Sequence, residues 1–323
     1  MSTQDRTERT DVHRIRIDAD AAAVFARLQD VARWPEMFEP TIHACELSRT
    51  EGRQLIQLWA VANGEPKTWV SERQLDEQQR RITWHQSRTA APVARMSGAW
   101  SVMGAGPGNT VVELLHTYAA QDDDEQSLEW IARAVDGNST KELAALKSAC
   151  ERENDADAAP FTFSDEVLTD ADPHLVFAFL DQGGRWAERL GHVAEVRMDE
   201  FTDGLQFLRM TTRTPDGDSH VTESFRLSQG PAVLRYKQTT LPGLLTLHTG
   251  VWTITPAGEQ WRVRSEHTVA IRTDAVTRVL GPEATVEQAR ELARRNLGNN
   301  SLRTLEAAVR WAHENAGRKT TVS

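Results

Sequence analysis

The chain has 323 residues, enough to bury two separate cores at roughly 100 to 200 residues per domain. Its 37 Lys and Arg against 47 Asp and Glu leave a formal charge of −10, a field that repels phosphate backbones and argues against nucleic acid as a partner. Hydrophobic residues make up 39% of the chain, and no apolar run approaches the ~18 residues that span a bilayer, so no membrane partner is expected.

The opening MSTQDRTERTDV has neither an apolar stretch nor a small-residue cleavage site; the chain is expected to begin where its gene does and to stay in the cytoplasm. Residues 13–18 (HRIRID) alternate as a strand, and helical spacing follows behind Asp20 as its N-cap. Alternating segments at 43–49, 54–63, 67–76, 81–88, 98–104 and 109–118 come next. The turn residues Glu51-Gly52, Asn63-Gly64 and Pro107-Gly108 punctuate them, which reads as an antiparallel meander. From 127 to 151, Leu128, Ile131, Val135, Ser139, Leu143, Leu146 and Cys150 recur every three or four residues, the stripe of a long amphipathic helix. Cys45 and Cys150 are too few for a disulfide framework, lack C-x-x-C spacing, and are expected as buried thiols.

The plan then recurs. Arg33-Trp34 returns as Arg185-Trp186, Leu75 as Leu227, Gln86 as Gln238 and Gly98-x-Trp100 as Gly250-x-Trp252, all 152 residues on. His116-Thr117 returns as His267-Thr268 after 151 residues, and Gly137-Asn138 as Gly298-Asn299 after 161. The second closing helix, 286–314, carries Ala289, Leu292, Leu297, Leu302, Leu305 and Val309 on its stripe. A polar, alanine-rich seam at 151–160 ends in a helix-breaking proline. The expectation is an α+β protein of two tandem domains, residues 1–155 and 156–323. Each is a curved antiparallel sheet wrapped around a long C-terminal helix, with a cavity between sheet and helix.

Signatures of phosphate, zinc, dinucleotide and serine-hydrolase chemistry are absent, so no metal and no cofactor is expected. Of ten histidines only His43/His192 and His116/His267 fall at similar places in both repeats. Strand periodicity puts Trp69, Ser71, Arg73 and Leu75 on one face, an arginine among apolar neighbours. Trp84 and Gln86 on the next strand, with Met96, Trp100 and the helical Asn138, are positioned to converge on the same cavity. Ten tryptophans against two tyrosines suit such a lining, since an indole gives rigid contact area with one donor. On residues alone the chain is a two-domain binder of hydrophobic ligands.

The segments WPEMFEPTIHACEL (34–47), WAVANGEPKTWVSERQLD (59–76), HQSRTAAPVARMSGAW (85–100) and DGNSTKELAALK (136–147) resemble those of di-domain polyketide aromatase/cyclases of bacterial type II polyketide synthases. So do RYKQTTLPGLLTLHTGVW (235–252) and GNNSLRTLEAAV (298–309) in the second half. That family has tandem helix-grip, START-like folds, in agreement with the order of elements. The resemblance implies catalytic roles for Arg73, Ser71 and Asn138, with Trp34, Phe38, Thr41, Trp69, Gln86, Met96 and Trp100 as pocket walls. In the second repeat it implies a pocket of Arg226, Ser224, Trp186, Gln238, His248 and Trp252. The constant offset would pair Arg73 with Phe225, whereas the Ser-x-Arg spacing pairs it with Arg226, and the latter is preferred. No tryptophan recurs at the place of Trp69, so the second pocket is expected to be altered.

The implied activity is first-ring aldol cyclisation and dehydrative aromatisation of a ketoreduced poly-β-ketone, in aromatic polyketide antibiotic biosynthesis. A shaped cavity selects which carbons meet. A buried arginine stabilises the enolate or alkoxide oxygen but is too basic to remove the proton itself. The substrate would arrive on an acyl carrier protein, met by a basic patch among Arg49, Arg53, Arg88 and Arg95; the other synthase components are the further implied partners. The alternative is a non-catalytic START-like protein that binds or transports a hydrophobic ligand, its arginine anchoring a carboxylate or carbonyl.

Overall fold

A computed structural model describes residues 7–62, 65–87, 89, 91–121, 123–153, 155–201, 204–213 and 219–317. The expected turn at Asn63-Gly64 and the side chain of Arg88 lie outside the described residues. The chain divides into two compact units, Met1–Asp155 and Ala156–Ser323.

In the first unit β1 (Arg9–Ile17) leads into α1 (Ala21–Gln29) and the one-turn α2 (Trp34–Met37). Six strands follow: β2 (Thr41–Thr50), β3 (Arg53–Ala62), β4 (Glu65–Asp76), β5 (Arg81–Gln86), β6 (Val93–Gly104) and β7 (Thr110–Ala120). They form one antiparallel sheet in the order β1-β7-β6-β5-β4-β3-β2, closed by α3 (Glu125–Glu153). All seven stripe residues expected of α3, Leu128 through Cys150, are buried. The outcome on Asp20 differs from expectation. It stands at the N-cap of α1, but its carboxylate accepts from the Gly108 N–H of the β6–β7 turn (3.1 Å) instead of a helix N–H. The tertiary contact wins because the turn, held at positive φ by Gly108, presents a free donor.

The second unit repeats the plan: β8 (Phe161–Thr169), α4 (Pro173–Asp181), α5 (Trp186–Arg189), β9 (Val193–Glu200), β10 (Leu205–Arg213), β11 (Ser219–Gln229), β12 (Val233–Thr240), β13 (Leu245–Ala257), β14 (Gln260–Ile271), α6 (Val276–Leu280) and α7 (Val286–Asn315). Its sheet order, β8-β14-β13-β12-β11-β10-β9, matches that of the first. A capping box of Thr285 and Gln288 starts α7. Of the six stripe residues expected of α7, Ala289 and Leu305 are buried, and the other four are not on the seam. Leu292, Leu297, Leu302 and Val309 are only half-buried, and the buried seam is Ala289, Ala293, Gly298, Ser301, Leu305, Ala308 and Ala312. Small residues on the seam let the helix approach the sheet closely, and the leucines flank it.

Strand pairing fixes which residues of the two repeats correspond. In the first sheet Arg73 faces Trp84, Trp84 faces Gly98, and Gly98 faces His116. In the second, Arg226 faces Tyr236, Tyr236 faces Gly250, and Gly250 faces His267. Arg226 is thus the counterpart of Arg73, and Leu75, opposite Ile82, corresponds to Ser228 opposite Leu234 and not to Leu227. The helices need the same kind of correction. His116 meets Ser139 and His267 meets Ser301, so Asn138-Ser139 corresponds to Asn300-Ser301, one residue beyond the expected Gly298-Asn299 match.

Candidate active site

Each cross-strand row is built around a glycine. A side chain at Gly98 would collide with the Leu115 carbonyl and the Trp84 ring, and one at Gly250 with the Tyr236 ring and the Glu266 carbonyl. The missing Cβ lets an aromatic ring lie flat over the strand between the arginine and the histidine.

Arg73 is 2% exposed among apolar neighbours. One Nη donates to the Leu28 carbonyl at 2.6 Å, near the C-terminal end of α1, where a cation also meets the negative end of the helix dipole. Its guanidinium lies 5.0 Å over the Trp34 ring, and the other Nη is buried without a partner. Burial pulls its pKa down from 12.5 to about 9, assisted by Arg49 and opposed by Glu46. Arg226 repeats this geometry. It donates to the Leu180 carbonyl, sits 5.0 Å over Trp186, leaves one Nη unpartnered, and is pulled down by burial to about 10.

Around Arg73 the structure gathers part of the expected wall. Trp34, Phe38, Trp84 and Trp100 share one core cluster, Trp34 meeting Phe38 edge-on at 5.4 Å. Ser71 is buried and faces the half-buried Gln86 across β4–β5. Thr41 is buried at the start of β2. Trp69 packs in a neighbouring cluster with Val31, Ile56 and Leu58, and Met96 under α3 with Leu128, Ile131 and Val135. Asn138 is exposed; the buried member of its pair is Ser139, hydrogen-bonded to His116 Nδ1 at 3.3 Å. A groove of ≈ 350 Å³ beside the row is lined mainly by Glu72, Gln74, Thr83, His85, Ser97 and Ala99, which alternate with the inner residues.

In the second unit all six expected residues, Arg226, Ser224, Trp186, Gln238, His248 and Trp252, line a single cavity of ≈ 140 Å³. His192, Asn300, Ser301 and Thr304 line it too. Three further groups escaped the sequence reading as site residues: Tyr236, His267 and Ser301, which join His248 and Gln238 in one hydrogen-bonded array. The recurring His-Thr pair, and the Asn-Ser pair at 138–139 and 300–301, carried the signal. The same correspondence places Glu142 of α3 at the position of Thr304. Burial raises the Glu142 pKa to about 7, which makes it a titratable group near neutrality in the first unit.

The expected basic patch is not free. Arg49 pairs with Glu46 (3.1 Å), Arg95 with Glu8 (3.0 Å) and Arg53 with Glu72. Among the described residues no group of three or more His, Cys, Asp or Glu could hold a metal, and no helix is long and apolar enough to cross a membrane.

Two helix-grip units, each with a buried arginine and a histidine on one inner row, define a tandem helix-grip protein. Residues 9–151 match the family model described as polyketide cyclase/dehydrase and lipid transport. The granaticin polyketide synthase bifunctional cyclase/dehydratase of Streptomyces violaceoruber is 36% identical over 301 residues, 93% of each chain. The actinorhodin counterpart of Streptomyces coelicolor is 39% identical over 308 residues, 92% of this chain and 95% of that one. Among solved structures, the di-domain aromatase/cyclase BexL of the BE-7585A pathway is 45% identical, covers 94% of this chain and 98% of its own, and superposes with a TM-score of 0.90. The steffimycin-pathway StfQ is 30% identical with a TM-score of 0.84. The chain belongs to the di-domain polyketide aromatase/cyclase family.

Proposed function

We propose that the protein closes and aromatises the first ring of a ketoreduced poly-β-ketone delivered on an acyl carrier protein, and that it does so in the cytoplasm without a cofactor. The observation that carries this reading is the set of buried donors lacking acceptors around Arg73: one Nη of Arg73 itself and the Nε1 of Trp34 and of Trp84. Each unpaired buried donor costs about 1–3 kcal/mol, and a chain of ketone oxygens, which only accept, is a ligand that would satisfy them.

In this reading the aromatic walls bring the condensing carbons together, and the buried Arg73 holds the oxygen on which enolate or alkoxide charge develops. Ser71 hydrogen-bonds the substrate beside it. Glu142, poised near neutrality, and the His116–Ser139 pair are the groups able to move the proton. His116 stays neutral under most conditions, since burial lowers its pKa to about 4. Asn138 is exposed, whereas its counterpart Asn300 lines the second cavity, so a role for Asn138 would be confined to the edge of the first site.

The test is reconstitution of a minimal synthase with a ketoreductase, read by mass spectrometry. Wild type is expected to redirect shunt products to a first-ring aromatic, and Arg73→Ala to abolish this while remaining folded. An unchanged profile with wild type refutes the catalytic reading and leaves hydrophobic-ligand binding.

A further inference from the structure

The second unit differs from the first at the positions that can carry a proton. Trp84 is replaced by Tyr236, and Met96, by the offset of 152, by His248. These two exchanges add a phenol and an imidazole to the inherited His267, and all three line the cavity.

The hydrogen bonds determine the direction of the donors. Gln238 Oε1 can only accept, so His248 carries its proton on Nδ1, 2.8 Å away, and its Nε2 is bare. His248 Nε2 lies 3.0 Å from His267 Nδ1, and two lone pairs would repel at that distance, so His267 carries its proton on Nδ1. That N–H reaches the Tyr236 oxygen at 2.7 Å. His267 Nε2, with its single lone pair, then accepts one proton, from the hydroxyl of Ser301 (3.0 Å) or from that of Ser265 (3.2 Å). The Tyr236 O–H is left to point at His248 Nε2, 3.3 Å away, or into the cavity. Burial keeps both imidazoles neutral, His248 at about 3 and His267 at about 4, and holds the phenol protonated. Asp165 and Arg294 act on His267 in opposite senses and belong to one ion pair, at 2.9 Å. Arg226 also lines this cavity, and His192 is itself held towards the neutral form by burial and Arg303.

We infer that the second cavity is a separate dehydration site, in which His248 Nε2 is the base and the Tyr236 hydroxyl the acid for loss of water from a ring-closed β-hydroxy carbonyl compound. The inference rests on the cyclase reading above, which supplies that compound. His248 Nε2 takes the proton from the carbon α to the carbonyl, and the C–H electrons become the new C=C bond. The β C–O bond breaks, and the departing oxygen takes the Tyr236 proton and leaves as water. The His248 proton then returns to the Tyr236 oxygen directly, restoring both groups with no net change of charge. Concerted transfer avoids a full imidazolium and a full phenolate, both disfavoured by burial. His267 is a positioning residue whose N–H stabilises the developing phenolate, and Arg226 polarises the substrate carbonyl.

The test uses the full chain with minimal synthase and ketoreductase, sampled over time so that slow spontaneous dehydration is resolved. Tyr236→Phe keeps the ring over Gly250 and removes only the hydroxyl; His248→Gln removes the base. Both are expected to close the ring as wild type does while dehydrating about a hundredfold more slowly, accumulating a product heavier by one water. The wild-type rate of that step is expected to be flat from roughly pH 5 to pH 9, because neither imidazole titrates there. Wild-type dehydration in Tyr236→Phe and His248→Gln overturns the inference and leaves the cyclase reading standing. If ring closure itself is absent with wild type, the cyclase reading fails, and this inference with it. Loss of ring closure in Tyr236→Phe, with a wild-type melting temperature, also overturns it, since the two steps would then share one site.

Discussion

Arg73→Met separates a catalytic arginine from a structural one. The guanidinium is 2% exposed, and burial pulls its pKa from 12.5 to about 9. At 1.36 kcal/mol for each tenfold change in proton affinity, the buried cation carries a penalty of about 5 kcal/mol in the folded state. Because the folded value lies below the ordinary one, the penalty is complete at neutral pH and disappears only as pH rises from about 9 towards 12.5. Methionine fills much of the same volume without the charge. Its introduction forfeits the Leu28 carbonyl bond, about 1.5–3 kcal/mol, and the stacking on Trp34, about 1 kcal/mol. The net expectation is a variant roughly 1 to 3 kcal/mol more stable than wild type, yet inactive in ring closure. Guanidinium unfolding at neutral pH measures the first and product profiling the second. The parallel Arg226→Met, with a pKa of about 10, should relieve only about 3 kcal/mol and come out less stable than Arg73→Met relative to wild type. A loss above about 3 kcal/mol for Arg73→Met would show that the arginine is retained to hold α1 on the sheet, and the argument from its burial would fail.

Glu142→Gln should flatten the pH dependence of stability. The folded pKa of about 7 lies above the ordinary 4.5, so wild-type stability falls as pH rises through that interval and stays low above it. Melting temperatures between roughly pH 4 and pH 8 measure the slope, and an equal slope in wild type and variant would refute the assignment. Gly98→Ala forces a Cβ against the immobile Leu115 carbonyl and the Trp84 ring, and should cost about 1–3 kcal/mol with loss of ring closure; wild-type stability by denaturant titration would show the row to be loosely packed. Gly183→Ala places its Cβ on an Arg226 Nη and should displace that guanidinium. The expected readout is slowed dehydration with intact ring closure, and a change in ring closure would argue against separate sites.

The legible part of the fold was whatever periodicity controls. Every stripe residue of α3 is buried, and Ser71, Arg73 and Leu75 alternate inward as their spacing required. The stripe of α7 was misread because its seam is built of alanine, glycine and hydroxyl residues, which carry little hydrophobic signal. Of the leucines that do carry it, only Leu305 is on the seam, and Leu292, Leu297 and Leu302 sit at its flanks. Asp20 was misread because a cap is a local competition, and the rival donor, Gly108, is 88 residues away. At the site, the Ser-x-Arg spacing located Arg226 correctly because a strand's alternation must be kept while a hairpin can lose a residue. The register of the closing helix could not be set from Gly-Asn. It needed the His267–Ser301 bond, and only with it do Thr304 and Glu142 become counterparts.

That correspondence shows how the two units diverged on one frame. Both keep the arginine capping a helix end, the glycine under an aromatic ring and the histidine bonded to a helical serine. The frame is therefore what either unit needs in order to hold an oxygen-rich ligand against a cation. The titratable groups were placed on opposite walls. In the first unit the helix supplies a carboxyl near neutrality, and at the two places where the second sheet adds a phenol and an imidazole the first has tryptophan and methionine, which shape a chain but exchange no proton. In the second the helix position is Thr304, and the sheet supplies the phenol and the second imidazole. A carboxyl near pH 7 suits reversible removal of an acidic proton between two ketones, whereas a neutral acid–base pair 3.3 Å apart suits a step that takes one proton and returns another. Transplanting the second pair into the first unit, as Trp84→Tyr with Met96→His, tests whether the frame is common. Dehydration without the second unit's phenol should appear in a Tyr236→Phe background. Its absence, in a folded variant that still closes the ring, would mean that the two frames differ in more than these side chains.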